Sequence, residues 1–155
     1  MKFLQFSEGR FQFRLETAER DMLLQIIERY PLIPAAYHRA SLGESTRELE
    51  ATQKLLEEAL EGQRQETRRQ IKAVIEAGDR LQRKGRGWVL SLGREEIQWL
   101  LQVLNDVRVG SWLILGQPEE LREQPLKLAE DKLPFLWAME VCGYFQMTLL
   151  RALDS

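Results

Sequence analysis

The chain has 155 residues and a formal net charge of -2, and 44% of its residues are hydrophobic while 30% are charged. This is the composition of a folded rather than a disordered chain, and the length predicts a single domain over residues 1–155. The small net charge gives no general reason to expect nucleic acid or an anionic membrane as a partner, and the single cysteine excludes an internal disulfide.

The N-terminal residues alternate in a way that predicts a β-hairpin. Phe11, Phe13 and Leu15 are separated by polar residues, which is the period of a half-buried strand. Residues 3–6 would form the pairing strand, and residues 88–92 can supply a third one. The sequence therefore predicts a small antiparallel sheet, either a hairpin or a three-stranded sheet.

Two helical regions are predicted between these strands. The first begins at Thr17, whose side chain can cap a helix, and ends near Tyr30 before two prolines. Ser45 then starts a capping-box pattern, and a polar helical region follows over residues 46–84. Two glycines weaken this region, so one bent helix and two separate helices are both open.

The most apolar helix is predicted over residues 94–115. Ile97 and Leu104 belong to an apolar set at the helical period, and two tryptophans widen that surface, so other elements should surround this helix. A last helix is predicted over residues 134–153, with Cys142 in its apolar row. These elements predict a mostly helical α+β domain around a central apolar helix, with a small N-terminal antiparallel sheet.

The distribution of polar residues also bears on localisation. Gln5, Glu8 and Arg10 interrupt the first apolar residues, so no signal-peptide core is expected. The longest apolar segments are interrupted by Asp106 or Glu140, and none reaches the roughly 18 residues of a membrane span. The sequence predicts a cytoplasmic protein with no membrane association.

Three polar residues in the central helix are the most unusual feature. Asn105, Asp106 and Arg108 lie among large apolar residues, where charged groups are seldom buried unless they are paired. Asp106 and Arg108 are about 200° apart on a helix, so each should find a partner on another element. Counter-charges such as Arg29 and Glu140 are available. A structural polar network is favoured over a ligand or catalytic site.

The segment WLLQVLNDVR at residues 99–108 resembles a motif of an uncharacterised bacterial family of unknown function, best represented in actinobacteria. The layout is also similar: a strand-rich start, a variable polar middle, this helix, and a final helix rich in aromatic residues. In that family the gene often neighbours the gene of the Clp-protease adaptor. The resemblance implies no activity, cofactor or catalytic residue; it points towards proteolysis or sulfur metabolism, and some members are described as regulators.

A second candidate surface lies on the polar helical region. Arg64, Arg68 and Lys72 recur every four residues and open a basic stretch over residues 64–86. Such a stretch could bind nucleic acid, but no aromatic residues are interleaved, so a solvated face is favoured. Trp112 is a candidate for contact with a protein partner, since an exposed aromatic residue is typical of interfaces.

No catalytic, metal or cofactor site is predicted. His38 is the only histidine, which excludes a site with several histidine ligands, and Cys142 should behave as a small hydrophobic residue. The sequence favours a non-catalytic protein-interaction or regulatory module that binds a protein partner or forms a homodimer. The alternatives are a small enzyme or ligand binder with a site at Asp106 and Arg108, and a nucleic-acid-binding regulator.

Overall fold

A computed structural model describes residues 1–33, 47–116 and 130–155 of the chain. Within these ranges the elements are, in chain order, β1 (Lys2–Ser7), β2 (Arg10–Leu15), α1 (Thr17–Arg29), α2 (Arg47–Glu76), β3 (Leu81–Lys84), β4 (Gly87–Leu92), α3 (Arg94–Ile114) and α4 (Leu133–Asp154). A short 3₁₀ turn precedes α4. The predicted α+β class is confirmed, with a helical body and a small antiparallel sheet. The predicted helix cap Ser45 and the only histidine, His38, lie outside the described residues.

The sheet has four strands in the described residues, in the order β1-β2-β4-β3, and every neighbouring pair is antiparallel. The predicted pairing of residues 88–92 with β2 is correct, since Phe13 lies opposite Leu90. The prediction of at most three strands is wrong, because Leu81–Lys84 forms a fourth strand that was assigned to the polar helical region. This strand is short, lies at the sheet edge and is mostly exposed, so its charged side chains show no alternation.

A bulge in β1 brings two phenylalanines to the same face of the sheet. Phe3 lies opposite Phe13 and Phe6 lies opposite Phe11, with a register shift at Leu4 between them. In a regular strand, residues three apart point to opposite faces, and one extra residue reverses that. The ring centroids of Phe6 and Phe11 are therefore only 4.7 Å apart.

The core lies between the sheet and the helices, and α3 packs against α1, α2 and α4. The expectation that other elements surround this apolar helix is confirmed. The largest fully buried side chains come from the sheet, α1, α2, α3 and α4: Phe13, Leu15, Leu90 and Leu92; Leu23 and Ile26; Ile71; Ile97, Leu100 and Leu104; Phe145 and Leu149.

Two details of the helices differ from the predictions or complete them. Helix α1 is capped by Glu16 rather than Thr17, and the backbone N–H of Glu16 donates to the Glu19 carboxylate at 3.0 Å. The polar region contains one helix, α2, which continues through Gly62 and ends before Gly78. Most of α2 is exposed, and none of residues 47–66 is buried.

Among the described helices, none combines the length and the apolar character that crossing a membrane requires.

Candidate functional site

Asp106 faces the chain segment that leaves α1. Its Oδ1 atom accepts hydrogen bonds from the backbone N–H of Leu32 at 2.6 Å and of Ile33 at 3.3 Å. The residue is only 8% exposed, so these two bonds take the place of water. The segment follows a cis peptide bond between Tyr30 and Pro31 and has no helix or strand of its own to satisfy these N–H groups. Asp106 therefore holds this connector, residues 30–33, against α3.

Arg64 holds the same connector from the other side. Its guanidinium, on α2, donates to the backbone carbonyl of Ile33. The N–H of Ile33 is bound by α3 and its C=O by α2, so one residue of the connector joins two helices. The structure thus brings together Asp106 and Arg64, which the sequence places in two separate features.

Tyr30 adds a second link between the connector and α2. Its side chain is buried, and it lies beside the buried side chain of Thr67. Burial raises the pKa of the Tyr30 phenol, and the nearby charge of Asp106 acts in the same direction. The phenol is therefore a neutral hydroxyl at physiological pH. From the sequence, Tyr30 was expected only in the apolar face at the end of the first helix, and Thr67 had no predicted role.

Opposing effects act on the Asp106 carboxyl. Burial raises its pKa above the ordinary aspartate value, while the N–H groups of Leu32 and Ile33 and the charge of Arg64 act against that increase. Burial is the largest of these effects. The site consequently binds a proton more readily than an exposed aspartate would.

Gly110 lies one helical turn beyond Asp106, on the same face of α3. A Cβ atom at this position would lie 2.9 Å from both Cβ and Cγ of Leu32, which is closer than such atoms pack. The missing side chain allows Leu32 to approach the helix backbone. Asp106 and Gly110 together form the surface on which the connector lies, and Gly110 gave no sequence signal.

The other two members of the predicted polar network lie elsewhere. Asn105 and Arg108 are exposed, and Arg108 Nη1 donates to Gln146 Oε1 of α4 at 3.1 Å. Both Asp106 and Arg108 do bind other elements, but neither partner is a counter-charge. The expectation of a single network is wrong because successive residues turn by about 100° around the helix, which directs Asp106 to the connector and Arg108 to α4.

The predicted interaction surface is also divided. Arg68 and Lys72 form ion pairs with Glu28 of α1, at 3.8 and 3.1 Å. With Arg64 bound to the connector, this row faces the body of the protein rather than forming a separate surface. Trp112, the fourth member, is half-buried on α3. The ion pairs on the row are partly exposed and contribute little to stability.

The remaining basic residues of the 64–86 stretch do not share one face. Arg69 pairs with Glu66, and Arg80 pairs with Glu96 at the start of α3. Three exposed basic residues remain on the β3–β4 hairpin: Arg83, Lys84 and Arg86. The stretch therefore lacks the continuous basic face that nucleic-acid binding would favour.

Cys142 lies in the core, as its position in the apolar row of the last helix predicts. The residue is fully buried, and this burial raises the pKa of its thiol to about 12. The reactive thiolate is consequently scarce at neutral pH.

We expect the thiol of Cys142 to resist a thiol-specific reagent such as dithionitrobenzoate in the folded protein at pH 8. In urea sufficient to unfold the chain, the same thiol should react completely within the mixing time of a manual assay. Release of one equivalent of chromophore from the native protein at the unfolded rate would contradict the burial of Cys142.

Among the surface cavities formed by the described residues are three of several hundred Å³. Their volumes are about 300, 430 and 330 Å³, and neither Asp106 nor Arg108 lines any of them. The cavity of about 430 Å³ lies beside the connector and is lined by Arg29, Leu32, Asp131, Pro134 and Phe135. Among the described residues, no group of three or more His, Cys, Asp or Glu side chains is placed to hold a metal ion.

The junction of α1, α2 and α3 can therefore hold a chain segment, since Asp106 Oδ1 accepts two backbone N–H groups of that segment. Because burial raises the pKa of the same carboxyl, the junction can also take up a proton. The connector itself contains no nucleophilic side chain.

Comparison with models of protein families, with curated proteins and with solved structures finds no match to this chain.

Proposed function

We propose that this chain is a non-catalytic protein-binding module and that the N-terminal half of α2, residues 47–61, is its binding surface. One observation carries the proposal: Leu55 and Leu56 are 67% and 56% exposed on this helix. Consecutive residues are about 100° apart on a helix, so these two leucines expose a broad apolar sector, and exposed apolar surface of this kind is typical of protein contacts. A helix of this kind can lie in an apolar groove or pair with another helix.

The binding surface continues a stripe that already packs on the body. At about 100° per residue, Leu56 and Leu60 lie within about 60° of Thr67 and Ile71 around the helix axis. Thr67 and Ile71 are buried, whereas Leu56 is exposed and Leu60 is half-buried. One stripe thus contacts the protein core at its C-terminal end and reaches solvent at its N-terminal end.

Charge indicates the chemistry of the partner. Five glutamates lie on this half of α2, against only Lys54 and one arginine: Glu48, Glu50, Glu57, Glu58 and Glu61. A partner that presents an apolar face bordered by lysine and arginine side chains would be complementary. We therefore expect a basic amphipathic helix as the bound element.

The alternatives have weaker support. A ligand or catalytic site at Asp106 and Arg108 would need a free carboxylate or an adjacent cavity, and Asp106 is bonded to two backbone N–H groups. Nucleic-acid binding would rest on the three hairpin residues alone. The resemblance to the bacterial family stays a prediction; it favours the same class of function, since it implies no catalytic residue, and it agrees with a cytoplasmic protein.

Site-specific photo-cross-linking tests this proposal. A benzophenone amino acid is placed at position 55 or 56, and in a matched control at the exposed position Gln98 of α3, in cells that express the chain natively. We expect one protein to be cross-linked from positions 55 and 56 but not from position 98. That protein should contain a basic amphipathic helix.

Binding of the purified pair provides the second half of the test. The double variant Leu55→Gln/Leu56→Gln should bind the cross-linked partner at least about tenfold more weakly, since two exposed apolar contacts are lost. Its melting temperature should stay near that of the wild type because neither side chain is buried. No adduct from positions 55 and 56, or the same adducts from position 98, would refute the proposal.

A further inference from the structure

We infer that the outer face of α4 binds α4 of a second copy of this chain, antiparallel and around a two-fold axis, with Gly143 at the contact. This self-association uses a different helix from the proposed binding surface on α2. It therefore goes beyond the proposed function, and either can fail without the other.

Helix α4 has two apolar faces. The inner face is fully buried in the core through residues such as Cys142, Phe145 and Leu149. The outer face contains Leu136, Gly143, Met147 and Leu150, which lie within about 60° of each other around the helix. Met147 and Leu150 are 53% and 51% exposed. A helix that is apolar on both faces is usually covered on both.

Gly143 lies in the middle of this outer face, and no contact within the described part of the chain requires a glycine there. A Cβ atom added there would meet nothing within 4 Å, in contrast to Gly110 of α3. Glycine lowers helix stability relative to alanine, and the added Cβ would meet nothing at Gly143 or at Gly62; what distinguishes Gly143 is its place among exposed apolar side chains. Between exposed apolar side chains, it leaves a hole that a side chain of a second helix can enter.

The charges beside the outer face select an antiparallel copy as the occupant. Glu140 and Arg151 are both exposed on the same edge of this face. A two-fold axis can pass between the two helices at the level of residues 145 and 146. Measured along the helix, Glu140 and Arg151 each lie about 8 Å from this level. The axis therefore places Glu140 of each copy opposite Arg151 of the other, and the pair forms twice. In a parallel arrangement the two-fold axis runs along the helices and puts the Glu140 edges of the two copies on opposite sides, so this pair could not form.

The same register fills the hole. Gly143 lies about 4 Å from the axis on one side and Met147 about 2 Å from it on the other, so Met147 of the second copy is next to Gly143. Within residues 1–33, 47–116 and 130–155, neither Glu140 nor Arg151 takes part in an ion pair. In this register the two charges complement each other across the axis, so the surface is complementary to itself, as a two-fold interface requires.

Sedimentation equilibrium of the full chain, from about 1 µM to about 1 mM, tests the inference. The wild type should change from monomer to dimer within this range. Gly143→Leu should weaken the dimer at least tenfold, because it fills the hole, while the monomer keeps or gains thermal stability. Dimer loss with an intact fold separates this effect from misfolding.

A charge-reversal series tests the register. Glu140→Arg should weaken the dimer, since it places two arginines opposite each other twice, and Glu140→Arg combined with Arg151→Glu should restore it. The α2 variant Leu55→Gln/Leu56→Gln is the matched control and should dimerise like the wild type. A monomeric wild type at the highest concentration would overturn the inference, and so would a dimer unaffected by Gly143→Leu or not restored by the double reversal.

Discussion

Replacing Asp106 with alanine is expected to lower the free energy of unfolding by about 2–4 kcal/mol, the cost of leaving two N–H groups without their acceptor. The bonds to Leu32 and Ile33 lie in a partly buried environment, so water cannot replace the carboxylate without rearrangement of the connector. For a chain of this size the melting temperature should fall by roughly 5–15 °C. Urea titration and calorimetry measure both quantities.

Asn105→Ala is the matched control for this substitution. Asn105 precedes Asp106 on α3 but is exposed, so its replacement should change stability by less than about 0.5 kcal/mol. If the Asp106→Ala and Asn105→Ala proteins unfold at the same urea concentration, Asp106 does not anchor the connector.

The pH dependence of stability reports the ionisation of the same group. Because the folded-state pKa of Asp106 is raised above its unfolded value, the folded state favours the protonated form. Its contribution is therefore fully present below the unfolded pKa and is lost as pH rises through the folded pKa. Relative to Asp106→Asn, which does not titrate, the wild type should be more stable at acidic than at neutral pH. The opposite trend would mean that the two N–H bonds outweigh burial.

Gly110→Ala is expected to destabilise the protein by about 1–3 kcal/mol, although alanine is the better helix former. The new methyl group would lie 2.9 Å from Cβ of Leu32, and that atom is attached directly to the backbone that Asp106 holds. Either Leu32 moves away from α3 or the helix shifts. Equilibrium unfolding in urea measures the loss.

Gly62→Ala provides the comparison. Gly62 is also inside a helix, but an added Cβ meets nothing within 4 Å, so alanine should stabilise the protein by about 0.5–1 kcal/mol. The two identical substitutions are thus expected to have opposite signs. A stabilising effect at both positions would show that Leu32 is not packed against Gly110.

Asp106→Ala and Gly110→Ala both act on the connector that follows α1. Asp106 and Gly110 bind it from α3, while Arg64 binds it from α2. Loss of the connector should therefore also loosen α2 against the body. The α2 surface that we propose to bind a partner would then be held less firmly.

The sequence alone predicts those elements whose own side chains carry the signal. Alternation in residues 11–15 identifies β2, and the helical period of residues such as Ile97 and Leu104 identifies α3, because both follow from local geometry. The edge strand Leu81–Lys84 was not predicted, because its side chains are mostly exposed and show no alternation of polar and apolar residues. Its assignment needed the neighbouring strand, to which it is hydrogen-bonded.

The sequence predicts only part of the candidate site at Asp106. A buried aspartate in an apolar helix indicates that a partner exists, because an uncompensated charge is costly to bury. The identity of that partner was wrong: it is a backbone segment 74 residues earlier rather than a counter-charge. Any backbone N–H can be such a partner, so no side-chain pattern marks it.

By itself, then, the sequence determined the fold class and the central position of α3, and its one cysteine and one histidine exclude an internal disulfide and a metal site with several histidines from these 155 residues. These properties depend on residue type and period. The tertiary structure decided what Asp106 binds, which way Arg64 faces, and why Gly110 differs from Gly62 and Gly143. Those answers depend on which distant atoms lie within a few ångströms of each residue, and the path of the chain determines that.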